Sequence, residues 1–275
     1  MMIQVTNRCQ MLCPHCLDDS RPYGEDCGMI TADTFDKACK FAADASVWHV
    51  LISGGEPSEH PNLVELCKVA ANHGLNFTIC TNGMWMGDAK AEYRMEKIAK
   101  MKACLYIQLY TNPRWYRLHE KTIAEWKKQE SRWREMSMTL VTDEIRSMQA
   151  LGRAKHCNEA MEEVRKSKYH NACLVPSLMA HQCADLKQFS FMMNTQGHFC
   201  TPLVDWQGNL HMSESWLCPH IGSVLTDTTE QLWEKMRQFR PCGGCYNCKK
   251  FLREKTDKMA QVRKILGFNP EGEEA

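Results

Sequence analysis

The sequence has almost no net charge and no long apolar run. Lys and Arg total 34 against 33 Asp and Glu, which gives a net charge of +1. No basic stripe occurs, so the charge pattern gives no case for binding nucleic acid. No stretch approaches the roughly 18 consecutive apolar residues of a membrane span, and no secretory signal precedes the first predicted strand. We therefore expect a cytoplasmic protein with no membrane partner.

Cysteine is abundant, with 16 in 275 residues. Without a secretory signal, this number argues against a disulfide scaffold and for reduced thiols that bind metal. Cys9, Cys13 and Cys16 lie together in the run CQMLCPHC, after a short strand-like segment. Three thiolates on one cubane leave its fourth iron open to a chelating substrate, whereas a closed structural site needs four ligands. A zinc knuckle and unrelated thiols are the alternatives.

A second pattern follows the next strand-like run, WHVLI. Gly54 and Gly55 predict a turn that leaves backbone amides and carbonyls open to a ligand. Glu56 adds a carboxylate suited to a ligand's ammonium group. A Gly-Gly turn is weak evidence by itself, but this one follows the cysteine loop by one βα unit.

Together the two patterns resemble the radical S-adenosylmethionine (SAM) superfamily. The residues that carry the resemblance are Cys9, Cys13, His15, Cys16, Gly54-Gly55-Glu56-Pro57 and Thr81-Asn82-Gly83. It implies a [4Fe-4S] cluster on the three cysteines, with SAM chelating the open iron. It also implies reductive cleavage of SAM to a 5′-deoxyadenosyl radical that abstracts a substrate hydrogen, and an electron donor of the flavodoxin or ferredoxin type.

The resemblance also implies which residues contact SAM. They are Gly54, Gly55, Glu56, Pro57, Asn82, Gln108, Arg117 and Arg153. For Arg117 a solvated helix start explains the residue equally well. Arg153 belongs to a predicted loop at the same barrel mouth, where loops commonly carry function.

Strands alternating with helices predict a parallel sheet and an α/β fold. The predicted strands are MMIQVTN, WHVLIS, NFTIC, ACLYIQLYT and SMTLVT, with a sixth in ACLVPSL or KQFSFMM. A charged helix is predicted from about Arg117 to Met136. Because six units are too few for a closed eight-stranded barrel, the resemblance implies an open partial (β/α)6 TIM-like barrel over residues 1–195.

The C-terminal part, residues 196–275, carries the run PCGGCYNC and a hairpin signal at Gln207-Gly208-Asn209. It resembles the twitch or SPASM-type extension that carries auxiliary iron–sulfur clusters, but Ser213 stands where such extensions usually have a cysteine. The candidate ligands are Cys200, Cys218, Cys242, Cys245 and Cys248. They are too few for two clusters, which need about seven or eight, so we expect one auxiliary cluster on four of the five. A structural zinc is the alternative.

The substrate is less constrained. The resemblance implies oxidative modification of a peptide or protein side chain, with dehydrogenation or rearrangement of a small molecule as the alternative. Activation of a glycyl-radical enzyme is a third candidate. A non-catalytic cluster protein would leave the Gly54 to Glu56 motif without a purpose.

Overall fold

The structure is a computed structural model. It describes residues 1–111, 116–142, 152–158, 161–162, 173–195, 202–242, 260–261 and 264–265.

The strands form one mixed sheet. They are β1 (Met2–Gln4), β2 (His49–Ser53), β3 (Asn76–Thr81), β4 (Cys104–Thr111), β5 (Met138–Thr142), β6 (Leu203–Val204), β7 (Asn209–His211) and β8 (His220–Ser223). Their order across the sheet is β5-β4-β3-β2-β1-β6-β7-β8. Strands β1 to β5 are parallel, and β6 runs parallel to β1 on its other side. Strands β6, β7 and β8 are antiparallel, so the sheet is open and mixed.

The first five helices alternate with the first five strands, and further helices follow β5 and β8. They are α1 (Ala32–Asp44), α2 (Leu63–Asn72), α3 (Ala89–Ala99), α4 (Tyr116–Lys128), α5 (Glu130–Glu135), α6 (Leu174–Gln182), α7 (Leu186–Thr195) and α8 (Thr229–Gln238). Short 3-10 helices occupy Pro57–Glu59 and Gly152–His156. This alternation is the α/β pattern that the sequence predicted.

Local signals explain where several helices begin and end. The Thr31 hydroxyl accepts the Thr34 amide at 3.1 Å and so caps α1, as predicted. Helix α2 is followed by Gly74 at φ +73°, a left-handed conformation that favours glycine. The charged helix predicted around Arg117 to Met136 is two helices, α4 and α5, which are interrupted at Gln129.

The predicted sixth strand is wrong. Both candidate segments, ACLVPSL and KQFSFMM, lie largely in helices α6 and α7. Helix α7 buries Leu186, Phe189, Ser190 and Met193, which repeat with helical spacing. Short apolar runs do not separate a strand from a buried helix by periodicity, and the strand beside β1 is β6.

The sheet has two different faces because successive residues of a strand point to opposite sides. Ile3, Ile52, Phe77 and Ile107 are fully buried in the main core, together with residues of α1, α2 and α3. The opposite face, here called the inner face, carries a smaller apolar cluster of Met2, Leu51 and Leu203, with Cys80 and Trp216 packed against it. Within the part of the chain that the structure describes, no helix has the length and apolar character needed to cross a bilayer.

Candidate functional site

The loop that carries Cys9, Cys13 and Cys16 follows β1 and is fastened at both ends. The Thr6 hydroxyl donates to the Gly28 carbonyl at 2.7 Å. The Asn7 side chain accepts the Gly28 amide at 2.8 Å and donates to the Asp26 carbonyl at 2.6 Å. The Cys9 amide donates to the Arg21 carbonyl at 2.9 Å. The loop therefore has a defined path before any ligand is bound.

The three thiols differ in how deeply they are buried. Cys9 is buried, whereas Cys13 and Cys16 are partly exposed. The Cys16 amide donates to the Cys13 carbonyl at 3.1 Å, which turns the chain between these two cysteines. The pKa of Cys9 is raised to about 12 and that of Cys13 to about 11, mainly by burial and in smaller part by the charge of Cys16. A bound cation reverses this preference, because a coordinating thiol is deprotonated.

Three cysteines on one loop match the ligand pattern of a cluster. Among the described residues, no three Cys, His, Asp or Glu side chains converge closely enough to hold one metal ion. In a cubane each cysteine sulfur binds a different iron, so the sulfurs need not converge on one point. Cys9, Cys13 and Cys16 lie on one anchored loop and interact electrostatically with one another, which suits such a cluster.

The Gly54-Gly55 turn packs directly on the cysteine loop. The Gly55 amide donates to the Thr6 carbonyl at 2.7 Å, and the Glu56 amide donates to the Arg8 carbonyl at 2.7 Å. A Cβ at Gly55 would lie 2.2 Å from the Arg8 carbonyl oxygen, and one at Gly54 would lie 2.5 Å from that of Thr6. Glycine is required here by the close approach of two backbones. The expectation that the two glycines leave their amides open to a ligand is therefore wrong for Gly55, and the Glu56 amide is engaged as well.

Glu56 is fully buried and accepts three hydrogen bonds. Its Oε1 accepts the Ser58 amide at 3.0 Å and the Thr81 hydroxyl at 2.6 Å. Its Oε2 accepts the Asn82 amide at 2.7 Å. Burial raises the pKa of Glu56 above its usual value, and these donors only partly offset that effect. The carboxylate joins the turns after β2 and β3, and of its roughly four acceptor positions about one remains for a ligand.

Asn82 reaches back to the cysteine loop. Its Nδ2 lies 3.6 Å from the Cys9 sulfur and 3.5 Å from Gln10 Oε1. Its Oδ1 accepts the Met84 amide at 2.9 Å, which fixes the orientation of the side-chain amide. Hydrogen bonds to cluster sulfurs influence the reduction potential, so Asn82 would act on a cluster that Cys9 holds.

Arg153 holds the cysteine loop. Its Nε donates to the Cys13 carbonyl at 2.9 Å, and its Nη1 donates to Asp19 Oδ1 at 2.8 Å and to the Ser20 carbonyl at 2.9 Å. A Cβ on the preceding Gly152 would lie 2.6 Å from the Leu17 carbonyl oxygen. The segment that the sequence placed at the barrel mouth thus lies against the loop.

The other residues predicted to contact SAM are Pro57, Gln108 and Arg117, which lie on three different elements. Pro57 is buried and opens the 3-10 helix after the glycine turn. Gln108 Oε1 on β4 lies 3.8 Å from the Cys80 sulfur on β3. The backbone of Arg117 belongs to α4, but its side chain is outside the described part of the chain.

The structure adds residues that the sequence did not single out. Gln4 Nε2 donates to Asp18 Oδ2 at 3.3 Å. Burial raises the pKa of Asp18 to about 7, and burial together with the charge of Asp18 raises the pKa of Glu214 to about 7. No motif marks these residues, because Glu214 comes near Asp18 only through the tertiary fold.

The described part of the C-terminal region contains two of the five candidate auxiliary ligands. Cys218 is partly buried, and its carbonyl oxygen lies 2.8 Å from His211 Nδ1. Cys242 is exposed. The other three candidates, Cys200, Cys245 and Cys248, lie outside the described residues.

An open cleft lies beside the cysteine loop. Its volume is about 630 Å³, within the usual range for small-molecule sites. Its lining residues are Leu12, Asp19, Arg21, Gly152, Arg153, Lys155, His156 and Leu217.

The part of the chain that carries the cysteine loop and the glycine turn is similar to known proteins. Residues 3–112 match the family model of the radical SAM superfamily. Over 92 residues the chain is 33% identical to the PqqA peptide cyclase of Ruegeria pomeroyi, covering 34% of this chain and 24% of that protein. The PqqA peptide cyclase of Gluconobacter oxydans is also 33% identical over 92 residues, which are 34% of this chain and 25% of that protein. The match spans about a quarter of the length of these relatives.

Two solved structures resemble the whole fold. BtrN in complex with AdoMet and 2-DOIA has a TM-score of 0.52 at 11% identity, covering 97% of this chain and 86% of that chain. Streptococcus suis SuiB bound to the precursor peptide SuiA has a TM-score of 0.53 at 14% identity, covering 93% of this chain and 73% of that chain. At such low identity the likeness concerns the fold, and it confirms the predicted open partial barrel.

Proposed function

We propose that this protein is a radical SAM oxidoreductase that cleaves SAM reductively and oxidatively modifies a peptide or protein side chain. One observation carries the proposal. The loop of three cysteines after β1 is fastened to the glycine turn after β2 by two backbone hydrogen bonds, Gly55 to Thr6 and Glu56 to Arg8. Ligand sites of parallel α/β folds lie at this carboxyl edge of the sheet.

Cys9, Cys13 and Cys16 would hold the [4Fe-4S] cluster. When bound, the cluster and SAM supply a one-electron cleavage that yields methionine and a 5′-deoxyadenosyl radical able to abstract a hydrogen atom. The protein contributes position and environment. Arg153 holds the Cys13 carbonyl in place, and Asn82 donates toward the Cys9 sulfur.

The predicted SAM contacts become proposals with adjusted roles. Gly54, Gly55 and Pro57 would line the methionine end of SAM through backbone groups not used in fastening the loop, and Glu56 would accept from its ammonium group. Asn82, Gln108 and Arg117 are proposed for the ribose or carboxylate. Arg153 is proposed to act through the cysteine loop, since its Nε and Nη1 already bind that loop.

The peptide substrate is proposed from the relatives. The 92-residue match is to proteins named PqqA peptide cyclase, whose names specify a peptide. An electron donor of the flavodoxin or ferredoxin type would reduce the cluster. We also propose one auxiliary iron–sulfur cluster in a domain spanning residues 196–275, on four of Cys200, Cys218, Cys242, Cys245 and Cys248, and a cytoplasmic location.

SAM cleavage tests the core of the proposal. Protein reconstituted without oxygen should form 5′-deoxyadenosine from SAM and dithionite, measured by liquid chromatography and mass spectrometry. Cys16→Ala should abolish the product, since it removes one of three cluster ligands. Cys27→Ala is the matched control, because Cys27 is a partly exposed thiol of the same loop and outside the proposed ligand set. Iron-loaded protein that forms no 5′-deoxyadenosine would overturn the proposal.

Deuterium transfer tests the substrate class. Candidate peptides encoded beside the gene are prepared with deuterated side chains and incubated with enzyme, SAM and reductant. Deuterium appearing in 5′-deoxyadenosine identifies the peptide as the hydrogen donor. Transfer from a deuterated small molecule, with none from peptides, would instead favour the dehydrogenase alternative.

A further inference from the structure

The open cleft beside the cysteine loop is lined by three segments that are distant in sequence, and we call it the basic cleft. The cysteine loop contributes Leu12, Asp19 and Arg21. The 3-10 helix Gly152–His156 forms a second wall, and Leu217 belongs to the segment after β7. The cleft therefore exists only in the folded chain.

Hydrogen bonds fix these walls to one another. The Ala154 amide donates to the Cys16 carbonyl at 3.3 Å, which joins the 3-10 helix to the cysteine loop. The indole N–H of Trp216, next to Leu217, donates to the Asp18 carbonyl at 3.2 Å and joins the third wall to the same loop. A cleft whose walls are already joined loses little conformational freedom when it binds a ligand.

The lining carries an excess of positive charge. Arg21, Arg153 and Lys155 are cations, and Asp19 is the carboxylate among the lining residues that the structure describes. Asp19 pairs with the guanidinium of Arg21 at 2.6 Å and with that of Arg153 at 2.8 Å. Because these two cations share one carboxylate, the lining keeps two positive charges in excess. Such a cleft attracts an anionic group and repels a cation.

Two side chains of the lining have unused donors. Lys155 and His156 are exposed, and their side chains make no hydrogen bond or ion pair with another residue in the described part of the chain. Their backbone is held in place, because the neighbouring residues Ala154 and Cys157 are buried. An ammonium and an imidazole on a fixed backbone are suited to bind a carboxylate by charge-assisted hydrogen bonds.

Apolar side chains line the cleft as well. Leu12 is 60% exposed and Leu217 is 39% exposed, and exposed apolar groups of this kind mark ligand-binding grooves. Leucines beside cations match a ligand with an anionic group next to an apolar group. Nucleic acid matches less well, because a polyanion requires an extended basic surface and the chain has a net charge of only +1.

The size of the cleft limits what it can hold. Its volume of about 630 Å³ is that of a site for a small molecule. A few residues of an extended peptide fit such a space, whereas the face of a folded protein is too large to enter it.

From these features we infer that the basic cleft binds a carboxylate with an apolar neighbour, namely an acidic residue beside an apolar residue of the peptide substrate. Arg21, Lys155 and His156 donate to the carboxylate. Leu12 and Leu217 contact the apolar side chain. A small-molecule acid with a branched alkyl chain presents the same chemistry. The substrate role rests on the proposed function, whereas binding is measured without turnover.

Matched dipeptides test the inference. Holoprotein reconstituted without oxygen is saturated with SAM, kept without reductant, and titrated with acetyl-Leu-Glu-amide and the uncharged acetyl-Leu-Gln-amide. Ligand-observed NMR measures both affinities. The acidic dipeptide should bind at least about fivefold more tightly, because only its carboxylate accepts charge-assisted hydrogen bonds. Acetyl-Ser-Glu-amide should bind more weakly than acetyl-Leu-Glu-amide, because it lacks the apolar side chain.

Further ligands separate the sources of the carboxylate. Tighter binding of acetyl-Leu-Glu-amide than of 4-methylpentanoate indicates a peptide, and equal binding indicates a small-molecule acid. Binding of the acidic dipeptide that is present without SAM and lost at saturating SAM would assign the cleft to the SAM carboxylate and overturn the inference.

Variants locate the site. Lys155→Glu should weaken acetyl-Leu-Glu-amide at least about tenfold and strengthen acetyl-Leu-Lys-amide, a reversal that a merely structural role would not produce. Arg21→Gln should weaken the acidic dipeptide and leave acetyl-Leu-Gln-amide unchanged. Lys90→Glu, at an exposed lysine of α3 outside the lining, is the matched control and should bind as the parent does. Iron content and circular dichroism establish that each variant is folded, and Lys155→Glu decides if Arg21→Gln disturbs the cysteine loop.

Two further results would overturn the inference. One is equal binding of acetyl-Leu-Glu-amide and acetyl-Leu-Gln-amide by the parent protein. The other is unchanged binding of the acidic dipeptide by folded Lys155→Glu. Absence of 5′-deoxyadenosine formation alongside selective binding of the acidic dipeptide would refute the proposed function and leave the anion site standing.

Discussion

Gly55→Ala should detach the glycine turn from the cysteine loop. The added Cβ would lie 2.2 Å from the Arg8 carbonyl oxygen and 2.6 Å from the Arg8 carbonyl carbon. Real Cβ atoms essentially never approach closer than 3.0 Å, and the obstacle is backbone that has no rotamer to change. The two chains must therefore separate by about 1 Å or more.

The cost follows from the contacts that separate. Overpacking costs about 1 to 3 kcal/mol. The bonds from Gly55 to Thr6 and from Glu56 to Arg8 contribute about 1 kcal/mol each, so the free energy of unfolding should fall by about 3 to 5 kcal/mol. Since the displaced loop carries Cys9, the iron bound after reconstitution should fall as well.

Gly74→Ala is the matched control. Gly74 has φ +73° and a Cβ there meets nothing within 4 Å, so alanine adds backbone strain of about 1 to 2 kcal/mol without a clash. Urea unfolding of the apoproteins by circular dichroism measures both losses, with equal m-values as a check. Iron and sulfide analysis follows reconstitution. If Gly55→Ala loses no more stability than Gly74→Ala and binds full iron, the close-packing argument is refuted.

Three further predictions concern charge, redox and the C-terminal cysteines. The pKa of Glu214 is raised from 4.5 to about 7, so its favourable contribution to the free energy of unfolding should be lost as pH rises from 4.5 to 7. Glu214→Gln should remove this part of the pH dependence, measured by urea unfolding. An identical pH profile for parent and variant would contradict the prediction. Asn82→Ala removes the donor 3.6 Å from the Cys9 sulfur, so the cluster potential should become more negative by tens of millivolts in EPR titrations, and no shift would exclude this role. Replacing Cys242 and Cys245 by Ala should reduce bound iron from about eight to about four per chain. The variant should still form 5′-deoxyadenosine but no modified substrate. A parent protein with about four irons and one tightly held zinc would point to the zinc alternative.

The local parts of the site were predictable from the sequence. Cys9, Cys13 and Cys16 lie within eight residues, so their spacing alone places the ligands on one loop. The strand-like run before Gly54 and the βα period put the glycine turn at the same sheet edge, where the structure has it. The bond from the Gly55 amide to the Thr6 carbonyl was not predictable from the sequence, because only the packed fold shows that this amide and the Cβ positions of both glycines face the neighbouring backbone.

The sixth strand failed for a related reason. The segments in α6 and α7 are short and only partly polar, and short runs of this kind occur both in strands and in buried helices. The position of the sixth strand depends on which segment pairs with the free edge of β1. Leu203 and Val204 pair there with Met2 and Ile3, which leaves the apolar helices to pack on the core.

The sequence by itself determined the chemistry that depends on neighbours along the chain: the cysteine loop, the glycine turn, the helix caps and the alternation of strands and helices. Only the tertiary structure decided which distant groups meet. Ser215 and Trp216 donate to the carbonyls of Leu17 and Asp18 because the chain returns to pair β6 with β1 and then brings the segment after β7 toward the cysteine loop. The order of residues along the chain does not specify such contacts, since burial and hydrogen bonds between distant residues arise only when separate segments pack against one another.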